Sequence, residues 1–415
     1  MSETNWAGNY TYRAGKLHRP SNLEQVQEII ANAPRVRVLG SRHSFTDIAD
    51  SSELLTLEGL PPDVVVDQTA DTVSFSAALK YGELAEALKS EGVALANLAS
   101  LPHISVAGAV ATATHGSGDG NGNLATAVAG LEVVTSSGEV LSATRNDADF
   151  NGLVVGLGAL GAITRLTLDV EPAYRVRQRV FEGLAWDALF EHFDEITSVG
   201  YSVSAFTRWS DAIEQVWVKS RMGDAPESVR TDLFGAVAAT VNRHPILELD
   251  ASNTTPIGEP GLWSDRLPHF RMGFTPSSGE ELQSEYLVPR RHALAAIQEM
   301  RALGDVIRPV LQVSEIRTVA ADQLWMSPQY ERDTVGIHFT WVLDQVAVER
   351  VMTDVEAALA PFDARPHWGK VFMAEAAAIA PLYERMADFA GLVDRLDPRG
   401  AFRNDWLNRC VLGPH

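Results

Sequence analysis

Hydrophobic and polar positions in the first 170 residues follow two periods, one typical of helices and one typical of strands. Apolar residues recur three and four positions apart from Asn22 to Ala33 and again from Tyr81 to Ser90, which predicts two amphipathic helices. Alternation from Arg35 to Val38 predicts a short strand, and Ile163 to Val170 alternates more strongly. Further extended runs are predicted at 54–57, 64–66, 73–76, 128–135 and 139–144. The mixture predicts an α+β fold.

The pattern changes after Pro172, where the alternating runs become longer. Strands are predicted at 201–209, 215–221, 312–319 and 336–342, and helices at 291–303 and 346–359, around an irregular region at 242–278 that is rich in Pro, Gly and Asn. At 415 residues the chain is long enough for two domains. We therefore expect a domain boundary at Pro172.

Composition and charge exclude several classes of partner. Hydrophobic residues make up 46% of the chain and charged residues 21%, and no run of about eighteen apolar residues is present, so we expect no membrane span. A formal charge of -20 repels nucleic acid and anionic lipid. The first ten residues do not resemble a signal peptide, and the single cysteine, Cys410, fits a reducing compartment, so we expect a cytoplasmic protein.

Two glycine-containing stretches are candidates for holding phosphate groups. The strand at Val36–Val38 runs into Gly40-Ser41 with His43 at the tip of the turn, and free backbone N–H groups in such a turn bind phosphate oxygens. Residues 99–122 are almost free of charge and crowded with Gly, Ala, Ser and Thr, which suits a second set of contacts along a phosphate chain. An ordinary turn and a flexible loop of low complexity are the alternatives.

Polar residues two positions apart point to a substrate site in the second half of the chain. Glu315 and Arg317 share one face of a predicted strand, as do His338 and Thr340 on another. If the two strands are neighbours, these groups suit a polyhydroxylated molecule, because each buried hydroxyl left unpaired costs about 1–3 kcal/mol. Lys370 adds a cation that could stabilise an alkoxide. The alternative is a solvent-exposed face carrying a surface ion pair.

Motifs for other chemistry are missing or misplaced in the sequence. It contains no Walker A sequence, no G-x-S-x-G, no H-E-x-x-H and no C-x-x-C, and we expect no metal. Gly156, Gly158 and Gly161 match G-x-G-x-x-G, but an alternating strand follows them, which is the reverse of the order in a dinucleotide-binding fold.

Together, several segments resemble the vanillyl-alcohol oxidase family of FAD flavoenzymes over nearly the whole chain. The segments are NWAGNYTY, GSRHSF, SLPHISVAGAVATATHGSG, GLGALGAITRLTLDVEPAY, LPHFRMGFTPSSGEELQSEYLVPR, EIRTVAAD, HFTW and RPHWGKVF. The resemblance implies an FAD-binding domain built from residues 1–172 and 373–415, with an α/β substrate cap domain at 173–372.

The resemblance also assigns cofactor contacts and a covalent link. His43 would be bonded through its ring to FAD. The implied FAD contacts are Gly40, Ser41, Arg42, His43, Ser44, Phe45, Ser100, Ser105, Gly108, Ala109, Val110, Ala111, Thr114, His115, Gly116 and Ile163. The family turn reads G-x-G-H-S, whereas Arg42 stands here at the second glycine, where positive φ would strain a side chain or where the guanidinium could pair with pyrophosphate.

The implied activity is oxidation of the terminal primary hydroxyl of an open-chain polyol such as xylitol or sorbitol by a monomer. Hydride passes to flavin N5, and O2 is reduced to H2O2. Lys370 and Arg317 would be catalytic. Substrate would contact Ser100, Glu315, Arg317, His338, Thr340 and Lys370. The alternatives are an aldonolactone oxidase or dehydrogenase of the same family and a flavin-binding module without turnover.

Overall fold

The computed structural model describes residues 3–223, 231–271 and 281–413. Its strands are β1 Lys16–His18, β2 Val36–Val38, β3 Glu53–Leu55, β4 Val65–Asp67, β5 Thr72–Ser76, β6 Val93–Ala94, β7 Val128–Val134, β8 Val140–Thr144, β9 Ala162–Asp169, β10 Glu171–Pro172, β11 Arg175–Ala185, β12 Ser202–Thr207, β13 Ala212–Arg221, β14 Asp232–Leu233, β15 Ala236–Ala238, β16 Gly261–Leu262, β17 Glu281–Pro289, β18 Leu311–Val319, β19 Thr334–Val342 and β20 Arg365–Pro366. Its α-helices are α1 Leu23–Asn32, α2 Tyr81–Glu91, α3 Val106–Ala111, α4 Phe150–Val154, α5 Trp186–Glu191, α6 Phe193–Thr197, α7 Trp263–Arg266, α8 Ala293–Ala302, α9 Gly304–Ile307, α10 Gln345–Leu359, α11 Ala376–Ile379, α12 Met386–Leu396 and α13 Asp405–Leu407.

The first part of the chain forms two principal small sheets. Strands β1, β3 and β2 make a parallel sheet, and a five-stranded antiparallel sheet runs in the order β4-β5-β9-β7-β8. Asn22 caps α1 by accepting a hydrogen bond from the Gln25 amide, which satisfies one of the free N–H groups at the helix start. The two predicted helices and the predicted strands of this part are confirmed within a few residues at their ends.

The middle of the chain forms a mainly antiparallel sheet of ten strands. Its order is β14-β15-β11-β13-β12-β18-β19-β17-β20, with β16 paired to β11. Strands β18 and β19 are direct neighbours, with Glu315 opposite His338 and Arg317 opposite Gly336. The four polar residues predicted from alternation therefore do lie side by side. Helices α8 and α10 pack together and bury apolar faces beside this sheet.

The end of the chain returns to the first part. Ile379 of α11, Phe389 of α12 and Trp406 of α13 belong to the same apolar core as Val110 and Leu166. A second core beside the large sheet is built mainly from residues of the middle part together with Ala7 and Phe45, while Trp325, Met326 and Trp368 of the middle part join the first core. This return of the chain joins the first and last segments in one hydrophobic core.

Two other predictions bear on how the site is built. The low-complexity segment 99–122 carries α3 and packs into the core, so it is not a loop without structure. Strand β9 follows the glycines of GLGALG directly, as predicted. The last seven residues of the predicted irregular region, 272–278, lie outside the described residues. Among the described helices, none is both long enough and apolar enough to cross a membrane.

Candidate active site

A cavity of about 740 Å³ lies between the turn after β2, the α3 segment and one face of the large sheet. This volume is typical of a small-molecule or cofactor pocket. Most of the residues predicted from sequence line it. These are Gly40, Ser41, Arg42, His43, Ser44, Phe45, Ser100, Ser105, Gly108, Ala109, Ala111, Thr114, His115, Glu315, Arg317, His338, Thr340 and Lys370.

The turn after β2 adopts the backbone conformation that its family pattern predicts for glycine. Arg42 has φ of 63°, in the left-handed region that glycine adopts without strain. Its carbonyl accepts a hydrogen bond from the Trp6 amide (2.8 Å), and its guanidinium pairs with Glu3. The N-terminal segment therefore holds Arg42 in the strained turn, and the side chain pairs with a carboxylate of the same chain.

His43 is held against the ring of Trp6 at the edge of the cavity. The two rings stack with centroids 5.1 Å apart and an angle of 22° between their planes. Burial, followed by repulsion from His103, Lys80 and Arg42, lowers the pKa of His43 to about 4. The imidazole is therefore neutral at pH 7, and a neutral ring keeps one nitrogen lone pair for bonding.

Close packing around Ser105 joins the turn to α3. A Cβ added at either Gly40 or Gly108 would lie 2.6 Å from Ser105 Oγ. The Ser105 amide also donates to Ser41 Oγ (2.9 Å). A side chain at either position would require the Ser105 hydroxyl to move, so the turn and α3 approach each other closely around Ser105.

Glu285 is the charge centre of the cavity wall. Its carboxylate accepts hydrogen bonds from Arg317 Nη2 (2.9 Å) and from Lys370 Nζ (2.6 Å), and His115 Nε2 lies 3.3 Å from Oε1. The residue is 1% exposed. Burial alone would raise the pKa of Glu285, but the charges of Arg317 and Lys370 hold it well below its usual range. A buried anion is thus neutralised by two cations that also face the cavity.

Lys370 connects this carboxylate to a pair of substrate-binding candidates. Its Nζ lies 2.7 Å from His338 Nδ1, and His338 Nε2 lies 3.1 Å from Thr340 Oγ1. Burial and the charge of Lys370 lower the pKa of His338 to about 4, so the ring is neutral, accepts at Nδ1 and donates at Nε2. Burial, only partly offset by Glu285, also lowers the pKa of Lys370. Lys370 therefore has a neutral acceptor beside its ammonium group.

A second carboxylate, Glu315, lies on the same wall. Its Oε1 is 3.1 Å from His269 Nε2, and its Oε2 is 3.6 Å from Arg317 Nη1. Burial would raise the pKa of Glu315, but Arg317 and His269 hold it below its usual range. The amide of His269 donates to the carbonyl of Ser100 (3.2 Å), which brings that predicted residue to the same region.

Three residues predicted as cofactor contacts are not among the residues that line this cavity. Val110 is fully buried in the apolar core. Gly116 packs against residue 98, where an added Cβ would lie 2.5 Å from the Leu98 carbonyl oxygen. Ile163 lines a neighbouring cavity of about 110 Å³, which also reaches Gly40, Ser41 and Ser105.

Several site residues carried no individual prediction from the sequence. Glu285 shares one face of β17 with Glu281 and Gln283. This polar face has the same spacing of two as the polar faces predicted on β18 and β19. His269 lies in a loop and had no periodic signal. His367 and Trp6 also line the cavity, and they too lie outside regular strands and helices.

His115, Glu285 and His367 bring three potential ligand atoms within 4.8 Å of one another. The carboxylate among them already accepts hydrogen bonds from two cations, and His367 Nδ1 accepts one from the Gly369 amide (3.1 Å). Arg317 and Lys370 already neutralise this carboxylate, so a metal ion here would be a third cation close to two others. We assign no metal to this cluster.

Comparisons with known proteins agree across the chain. Residues 16–144 match a family model described as FAD binding domain, and residues 278–410 match one described as D-arabinono-1,4-lactone oxidase. An alditol oxidase from a Streptomyces species is 48% identical over 99% of both chains. An L-gulono-1,4-lactone dehydrogenase from Mycobacterium tuberculosis is 30% identical, again over 99% of both chains. A crystal structure of cholesterol oxidase from B. sterolicum has the same fold, with a TM-score of 0.80 at 15% identity over 99% of this chain and 96% of that one.

Proposed function

The chain belongs to the vanillyl-alcohol oxidase family of FAD flavoenzymes, and from this premise we propose that it is an FAD-dependent alditol oxidase. It oxidises the terminal primary hydroxyl of an open-chain polyol to the aldose, and O2 is reduced to H2O2. The single observation that carries the proposal is the meeting, in one cavity, of the turn 40–45 with the side chains of Glu315, Arg317, His338 and Lys370. The similarity to alditol oxidase at 48% identity supports the substrate class.

The residues present fit FAD. The cavity has the volume of a cofactor pocket, and its wall at Gly108, Ala109 and Ala111 has small side chains that leave backbone accessible. Gly40 and Ser41 line both this cavity and the smaller one beside it, so an elongated dinucleotide has space on either side of the turn. When bound, FAD supplies a hydride acceptor that the side chains of the protein cannot provide.

Lys370 and Arg317 have the catalytic roles in this proposal. An alcohol that loses a hydride must also lose its hydroxyl proton, and negative charge develops on that oxygen. Both cations already lie against Glu285, and their other N–H groups stabilise this charge without reorganisation. The hydroxyl proton can pass to Lys370 as Lys370 releases one of its own protons to His338 Nδ1, the neutral acceptor 2.7 Å from Nζ.

The remaining hydroxyls of the polyol bind to groups on neighbouring strands. Glu315 Oε2 accepts a hydrogen bond, and the hydroxyls of Thr340 and Ser100 can each donate and accept. Each hydroxyl left without a partner would cost about 1–3 kcal/mol. This set of donors and acceptors therefore favours a chain of hydroxyl groups over an apolar substrate.

A covalent bond from His43 to FAD is part of the proposal. The support is local: the imidazole lines the cavity, stacks on Trp6 and has a lowered pKa, so it is neutral and nucleophilic. We expect a single histidyl link, because the only cysteine, Cys410, is buried among the helices at the end of the chain.

Domain organisation and assembly follow from the same premise. We propose that residues 1–172 and 373–415 form the FAD-binding domain and that residues 173–372 form the substrate cap, which agrees with the shared core of Phe389 and Leu166. We also propose a monomer in a reducing cytoplasm. Size-exclusion chromatography with light scattering tests the monomer, and a mass near twice 45.1 kDa would contradict it.

The experiment that tests the function is peroxide production in air by the purified flavin-loaded protein. Xylitol, sorbitol, glycerol and L-gulono-1,4-lactone are compared. We expect peroxide with the polyols, strongest with those of five or six carbons. The same polyols should bleach the flavin absorbance under nitrogen, whereas a flavin-binding module without turnover would show neither signal.

A lactone substrate is the second candidate. The match of residues 278–410 to the D-arabinono-1,4-lactone oxidase model and the 30% identity with L-gulono-1,4-lactone dehydrogenase favour it. Peroxide from the lactone alone would support this candidate and contradict the polyol.

A further inference from the structure

A buried lysine outside the cavity lining contacts the substrate wall from behind. Lys219 lies on β13 and is 1% exposed. Its Nζ donates to the carbonyl oxygens of Leu267 and of Pro268 (3.0 Å) and lies 3.1 Å from His269 Nδ1. The proposed mechanism gives this ammonium group no role, although burying an ammonium group is costly unless it is well paired.

The contacts of Lys219 and Glu315 fix the proton on His269. Burial lowers the pKa of Lys219 to about 7, but the groups around it favour its protonated form. Glu315 is held ionised and can only accept, so the hydrogen of the neutral His269 ring lies on Nε2 and leaves Nδ1 as an acceptor. Nδ1 and the carbonyls of Leu267 and Pro268 then take the three donors of an ammonium group. That Nε2 lies 3.1 Å from Glu315 Oε1 and therefore donates to it. Burial and the charge of Lys219 lower the pKa of His269 to about 4, in agreement with a neutral ring in this one tautomer.

The loop that Lys219 holds also reaches a second substrate candidate. The His269 amide donates to the Ser100 carbonyl (3.2 Å), and the ring is packed edge-on against Phe206 and Trp217, with centroids 5.5 and 5.3 Å away. These contacts leave His269 little freedom to turn. Glu315 Oε1 is thus occupied from behind, and Oε2 remains as the acceptor on the cavity side.

We propose that Lys219 is a positioning residue for polyol recognition, acting through His269 to orient the Glu315 carboxylate toward a substrate hydroxyl. The inference rests on the proposed function, since it assumes that Glu315 binds a polyol. Lys219 and His269 thus join the residues that determine substrate specificity, although neither contacts the reacting carbon.

The test compares Lys219→Met with the wild type in steady-state oxidation of sorbitol. We expect KM to rise about tenfold, which corresponds to about 1.4 kcal/mol, with kcat changed less than about twofold. Lys89→Met is the control, because Lys89 lies on α2 outside the cavity lining and pairs with Glu86 and Asp265. An unchanged KM in flavin-loaded Lys219→Met protein would overturn the inference.

Variants at His269 make the test independent of whether Lys219→Met folds. His269→Phe removes the donor to Glu315 but keeps an aromatic ring beside Phe206, whereas His269→Gln keeps an N–H in a similar place. We expect KM to rise more in His269→Phe than in His269→Gln. Equal kinetics in the two variants would contradict a role through the N–H donor.

A double-mutant cycle separates positioning from simple structural support. If Lys219 acts through His269, then Lys219→Met should raise KM much less in the His269→Phe background, where the ring can no longer donate to Glu315, than in the wild type. Additive effects would overturn the coupling. Turnover of sorbitol by the wild type is measured first. If the wild type does not oxidise sorbitol, the proposed function is overturned together with the inference. If it does, a negative result with the variants contradicts only the role of Lys219.

Discussion

Replacing Glu285 with Gln removes the charge that two buried cations share. Arg317 and Lys370 both donate to this carboxylate, at 2.9 and 2.6 Å. Glutamine keeps the shape of the side chain, but one of its two end groups becomes an N–H donor. That donor would face a cation, so at least one of the two hydrogen bonds is lost.

The expected loss of stability follows from the burial of all three groups. Removing one partner of a buried ion pair costs about 3–5 kcal/mol, because the remaining charge is left uncompensated. At about 2.1 cal/mol/K of unfolding entropy per residue, 415 residues convert this cost into a fall in Tm of about 3–6 °C. Activity should fall about tenfold or more, because a displacement of about 1 Å in a catalytic group can cost up to 100-fold.

Calorimetry and peroxide assays on the same preparation measure the two effects. Glu356→Gln is the matched control, since Glu356 accepts hydrogen bonds from the Tyr286 hydroxyl (2.7 Å) and the Met373 amide (2.7 Å) outside the cavity. We expect it to change Tm by less than about 1 °C. A Glu285→Gln variant as stable and as active as this control would refute the assignment of Glu285 as the charge centre.

Acid provides an independent check on Glu285. The folded protein holds its pKa well below the ordinary 4.5, so the stabilising contribution is complete above about pH 4.5 and is lost as the pH falls through the folded value. The free energy of unfolding of the wild type should exceed that of Glu285→Gln by the same amount at about pH 8 as at about pH 6. A difference that already narrowed between those values would contradict a lowered pKa.

Three further predictions concern the cofactor and the chemistry. His43→Ala should bind FAD that is released into the supernatant on acid precipitation, and flavin that stays with the precipitate would show that another residue carries the bond. Lys370→Met should lose turnover by at least about 1,000-fold while the flavin absorbance stays unchanged, and near-normal turnover would remove Lys370 from the chemistry. Gly40→Ala places a Cβ 2.6 Å from Ser105 Oγ and should lower the ratio of flavin to protein, whereas Gly15→Ala, where the nearest atom is 4.0 Å away, should not.

The strands that present the substrate candidates could be predicted from the sequence because each carries polar residues at a spacing of two. Glu315 with Arg317 and His338 with Thr340 define two faces, and only the adjacency of the strands had to be assumed. Adjacency depends on the hydrogen-bond register between β18 and β19, which no single strand encodes. The face that looks inward is likewise set by the rest of the sheet.

Glu285 shows why a polar face is ambiguous in sequence. Glu281, Gln283 and Glu285 alternate with Leu282, Ser284 and Tyr286, the pattern expected for a strand with one solvated side. In the structure that side faces the cavity and the cations of β18 and the segment after β20. Long-range partners decide whether such a face is exposed, so the sequence alone leaves the two cases open.

Residues in loops were the hardest to predict. His269 and Trp6 act through stacking and through single hydrogen bonds, and neither type of contact leaves a periodic signal. Lys219 lies in a strand, but a lysine that shares a face with Gln215 is expected to be exposed, so its burial could not be predicted from the sequence. A buried lysine in a strand therefore identifies a place where loop carbonyls and a ring nitrogen must supply its partners.

The charges of the cavity wall explain how a chain with a net negative charge can stabilise negative charge on a substrate oxygen. Glu285 and Glu315 balance Arg317 and Lys370, so the four groups carry no net charge, and burying a balanced set costs less than burying isolated ions. Glu285 lines the cavity together with the two cations, so positive potential at the reacting oxygen depends on the N–H groups of Arg317 and Lys370 that do not donate to Glu285. Stabilisation by donors fixed in advance is the form of catalysis that a static wall can provide. The same reasoning predicts that both substitutions lower turnover, but for different reasons. Removing Glu285 leaves the two cations without the partner that orients them, whereas removing Lys370 removes one of the donors.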